Sequence, residues 1–76
     1  MGGLSFTGNK THDDSVRSAE GVRQTAVVAA GANQSAVVAA EQIYWRSRKS
    51  SALANGLAAE AGNATVVLKM LGTSGI

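Results

Sequence analysis

Gln24-Thr25-Ala26-Val27-Val28-Ala29-Ala30 is followed, after Gly31-Ala32-Asn33, by Gln34-Ser35-Ala36-Val37-Val38-Ala39-Ala40, a near-copy of itself. Alanine is the strongest helix former, so both blocks favour helix. Read as strands, two such blocks would pair across Gly31-Ala32-Asn33 as a hairpin, and in the extreme would stack into a β-rich fibre. High alanine content and the lack of apolar/polar alternation argue against strands. At about 100° per residue, a ten-residue shift turns the second Val pair by roughly 80° from the first. The two pairs therefore cover a broad small-residue surface, not one narrow stripe.

Working outward, Thr11-His12-Asp13-Asp14 places a capping hydroxyl before two acids, a helix start that complements the helix dipole. From there to Arg48 the chain has no proline. The sequence predicts a long helix over 11–48, with a kink or break near 31–33. Arg46-Ser47-Arg48-Lys49-Ser50-Ser51 reads as its basic end, with Ser50 or Ser51 capping a second helix over 51–71. Asn55-Gly56 and Gly62-Asn63 interrupt that second helix, and Gly72 reads as its stop ahead of a short tail over 72–76. Residues 1–10, with Gly2, Gly3 and Gly8 among isolated Leu4 and Phe6, read as a flexible Gly-rich arm that docks on a neighbour. The expected fold is all-α, a single small domain arranged as a helical hairpin or a bent rod.

The 76 residues allow one small domain, and a chain of this size buries only about 60 % of its unfolded surface. Of the hydrophobic residues, 14 are Ala, and the larger apolar and aromatic side chains number 20. Folds this thin are usually completed by disulfides, a metal or a partner subunit. There is no Cys and one His, so disulfides are excluded and a structural zinc site is not expected. Oligomerisation remains. The formal charge of +2 gives weak attraction to anionic surfaces and no more. The sequence shows no classical secretory signal, no myristoylation pattern and no apolar run long enough for a conventional transmembrane helix, which leaves the location open.

Chemistry-bearing motifs are sparse. Gly3 to Thr11 misses the phosphate-loop pattern by one residue and lacks the preceding strand that such a loop needs. His12, Asp13 and Asp14 are consecutive, so on a helix they point in different directions, and capping accounts for them. Asn63-Ala64-Thr65 matches a glycosylation acceptor by chance composition. No catalytic, metal or cofactor residues are expected.

The chain therefore reads as a non-enzymatic structural subunit that packs against copies of itself or a larger protein assembly, such as a filament, a virion or a secretion-type complex. Expected interface positions are Val27, Val28, Val37, Val38 and Ile43, with Tyr44 and Trp45 as anchors and Leu4 and Phe6 as arm contacts. The alternative is a small basic helical module that binds nucleic acid or an anionic membrane through Trp45 with Arg46, Arg48 and Lys49. No small-molecule substrate is evident.

Overall fold

A computed structural model of the chain describes residues 7–74, and these form three α-helices with no strand among them: α1 Lys10–Ala30, α2 Gln34–Ala54 and α3 Ala58–Ser74. The all-α expectation holds. The Gly-rich arm falls mainly on residues outside those described, as do Leu4 and Phe6.

Each helix boundary has a local cause. α1 begins one residue earlier than Thr11, because the Asn9 side chain caps it by accepting from the His12 amide at 3.0 Å. The expected long helix over 11–48 is two helices. Gly31 sits at φ +58° and donates its amide to Val27 and Val28, which ends α1. Asn33 then caps α2 by accepting from the Ala36 amide at 3.1 Å. A φ in this range is easily reached only by glycine. The Gly31-Ala32-Asn33 step thus works as a stop followed by a start, and a kink would need neither.

The second boundary also moves. Arg46 to Ser51 continues α2 to Ala54, and the chain turns at Asn55-Gly56-Leu57. Gly56 has φ +71°, its amide donates to the Leu53 carbonyl, and the Leu57 amide donates back to Ala52 at 2.8 Å. This paired 6→1 and 5→2 bonding satisfies the last carbonyls of a helix and needs a residue tolerant of positive φ, which Gly56 supplies and 46–51 does not. Gly72, expected as a stop, lies within α3.

α1 and α3 each pack along α2, and no Cα of α1 comes within 8 Å of one of α3. The result is an open arrangement with α2 in the middle. Its radius of gyration is 12.5 Å, against roughly 11 Å for a compact chain of this length. The buried apolar residues are Val16, Ala40, Tyr44, Ala52, Ala61 and Ala64, so most of the interior is alanine. Small residues let the three backbones approach closely but remove little apolar area from water each.

Candidate functional site

Two features of the three-helix arrangement stand out. The first is a polar and aromatic cluster that ties the three helices together around Tyr44, which is buried. From α1, the Arg23 guanidinium lies 4.2 Å from the Tyr44 ring centroid and donates to Glu20 at 2.6 Å and to Glu41 of α2 at 3.3 Å. From α2 itself, Arg48 donates to the Tyr44 hydroxyl at 3.2 Å and to Glu60 of α3 at 3.2 Å, with its guanidinium 4.7 Å from the Trp45 ring. Tyr44 and Trp45 meet edge to face, with ring centroids 5.2 Å apart. Guanidinium over an aromatic face is electrostatically favourable, and more so where water is excluded. Burial works against the Arg23 charge, yet Glu20 and Glu41 more than offset it and hold its pKa above the ordinary arginine value.

Of the cations singled out in the sequence, Arg48 is therefore committed to Glu60, Tyr44 and Trp45. Arg46 is exposed and Lys49 half-buried. Arg46 and Lys49 lie three positions apart on α2, whereas Arg48 turns to Glu60, Tyr44 and Trp45. The i,i+4 relation of Tyr44 to Arg48 was readable in advance. Their link to Arg23 and Glu60 was not, because it depends on how the chain folds back twice.

The second feature is apolar. Val22, Val28, Ile43, Leu53, Val66 and Met70 are between 54 % and 76 % exposed. On one side of the molecule, Val22 of α1 and Ile43 of α2 line a groove of about 100 Å³ together with Ala19, Ala26, Ala40 and Tyr44. Among the expected interface positions, Val28 and Ile43 are exposed, Val27, Val37, Val38 and Trp45 are half-buried, and Tyr44 is buried. Val22 was missed in the sequence because it lies outside the repeated block, one turn before Ala26.

Comparison with known protein families, with curated proteins and with solved structures finds no match. The geometry alone carries the functional reading.

The titratable groups at the start of α1 are tied into the fold. Asp13 accepts from the Thr7 amide and hydroxyl, both at 3.0 Å, and from the Gly8 amide at 3.3 Å. The Thr7 amide is the largest of several contributions that hold the Asp13 carboxyl below the usual carboxylate range. Asp14 is likewise lowered, chiefly by its hydrogen bond from Lys10. His12 is buried, with Nδ1 2.8 Å from Ser51 Oγ near the end of α2. That pair joins residues 39 positions apart, a contact no local pattern announces. Asp13 turns to Thr7 and Gly8, and the His12–Ser51 pair ties α1 to α2. Among the described residues, no group of three His, Cys, Asp or Glu is placed to hold a metal ion, and no helix is long and apolar enough to cross a membrane.

Proposed function

We propose that the protein is a structural subunit that assembles with copies of itself through its exposed apolar helix faces. One observation carries this reading: an open three-helix layer whose interior is mostly alanine, while six larger apolar side chains remain more than half exposed. Each large side chain taken from water contributes about 1.5–3 kcal/mol. Burying such side chains between copies adds stabilisation, and an assembly is the ordinary way for a domain this small to gain it. Of the six, Val22 and Ile43 lie at one apolar groove, the kind of exposed apolar surface on which a partner docks.

The internal cluster supports the same reading. Arg23, Tyr44, Arg48 and Glu60 fix the angle between the helices by charge and ring contacts, so the thin layer keeps one shape without a deep core. A subunit of fixed shape presents the same patches to every neighbour. The test is the dependence of solution mass on concentration, combined with Val22→Asp and Ile43→Asp. Both positions are exposed, so these variants keep the fold while placing a charge on the proposed contact. Binding to nucleic acid or anionic vesicles by a protein that stays monomeric would favour the basic-module alternative instead.

A further inference from the structure

The groove between α1 and α2 is apolar, open and small, and the chain carries a side chain suited to it. It is lined by Ala19, Val22, Ala26, Ala40 and Ile43, with Arg23, Tyr44 and Ser47 completing the lining. An apolar cavity of about 150 Å³ holds a benzene ring. At about 100 Å³ with one open side, this groove can take most of a ring while an edge remains outside. Its lining includes the Arg23 guanidinium, a favourable neighbour for an aromatic ring. The chain has a single Phe. It is Phe6, immediately before the described residues, with Leu4 two positions earlier.

Phe6 cannot reach the groove of its own chain. Thr7 is fixed by its amide and hydroxyl on the Asp13 carboxylate. Asp13 and Val22 are nine residues apart on α1, which at about 100° and 1.5 Å per residue places them on opposite sides of the helix and roughly 13.5 Å apart along its axis. Phe6 Cα lies only about 3.8 Å from Thr7 Cα, and the ring adds a few ångströms. Leu4 has three peptide steps, about 11 Å when extended, and must pass around a helix about 10 Å thick as well as along it. An occupant from the same segment has to come from a second molecule.

We infer that Phe6, supported by Leu4, inserts into the α1–α2 groove of a second copy of this chain, between Val22 and Ile43. This rests on the assembly reading and specifies its geometry. The segment of one copy enters the groove of the next, so donor and acceptor surfaces differ. A contact of this kind is head-to-tail and propagates, closing into a ring or growing as a filament, whereas a face pressed on its own copy would stop at a dimer.

The experiment uses the full chain in three forms. Phe6→Ala lacks the insert and keeps the groove; Ile43→Asp keeps the insert and spoils the groove at an exposed position. Analytical ultracentrifugation is expected to show self-association of the wild type weakened at least tenfold in either variant. Equimolar mixing of the two variants is expected to restore one contact and no more, giving a heterodimer that does not grow, because it uses the one insert and the one intact groove and leaves only a spoiled groove. Circular dichroism of each variant confirms the helical fold. If Phe6→Ala associates as the wild type does, or if the mixture shows no heterodimer, the insertion is refuted while the assembly reading stands. A wild type that remains monomeric refutes both.

Discussion

Replacing Gly31 with Ala and, separately, Gly62 with Ala makes the same chemical change with opposite expected signs. At both positions an added Cβ meets no atom within 4 Å, so crowding is absent and the backbone decides. Gly62 lies in the interior of α3 and is exposed. There Ala is favoured over Gly by about 1 kcal/mol. Gly31 sits at φ +58° and ψ −120°, a conformation Ala rarely adopts, and such a residue costs of order 1–3 kcal/mol. For a domain of this size, 1 kcal/mol moves Tm by roughly 4–8 °C. Thermal unfolding followed by far-ultraviolet circular dichroism, at one protein concentration for all forms, is expected to give a higher Tm for Gly62→Ala and a lower one for Gly31→Ala. If α1 and α2 were one continuous helix, Gly31 would be an interior helical glycine and its replacement would stabilise. A raised Tm for Gly31→Ala therefore refutes the chain reversal at 31–33, and with it the groove between α1 and α2.

Asn33→Ala removes the side-chain cap on the Ala36 amide and is expected to cost about 1 kcal/mol, read as a fall in the urea midpoint with unchanged slope. Glu60→Gln leaves Arg48, whose side chain is 11 % exposed, without its carboxylate partner. The expected cost is about 1–2 kcal/mol, between that of an exposed pair and that of a fully buried one, and a loss insensitive to added salt would confirm the pair's shielding. The Asp13 carboxyl titrates lower in the folded chain than in the unfolded one, so its contribution is complete above the unfolded value of about 3.9. It is then lost as pH falls through the lower folded value. Asp13→Asn should flatten that part of an acid unfolding curve, and an unchanged curve would contradict the role given to the Thr7 amide.

The helical character of the chain was legible because alanine content, absence of proline and the lack of apolar/polar alternation all favour helix over strand. Gly31-Ala32-Asn33 was legible as a weak point but not as a reversal, since a kink and a stop-and-start use the same residues and differ only in φ at Gly31. The boundary at 46–51 was misplaced for a clear reason. Basic residues near a helix end are favourable, but they are also good helix formers, and here Arg48 reaches Glu60 from within the helix. Asn55-Gly56, read as an interruption, is the turn itself. The site divides the same way: Tyr44 and Trp45 stood out as the chain's aromatic pair, whereas Arg23 over Tyr44 and His12 beside Ser51 join residues far apart in sequence. Val22 became visible as a groove residue only once Ile43 was placed in the same groove with it.

The most direct measurement is the mass of the wild-type chain in solution by light scattering over a wide concentration series. Self-assembly through the exposed apolar faces requires the mass to rise above the 7.7 kDa of one chain as concentration increases, and Ile43→Asp to suppress the rise while the helical spectrum is retained. A mass that stays at one chain over the whole series would contradict the account.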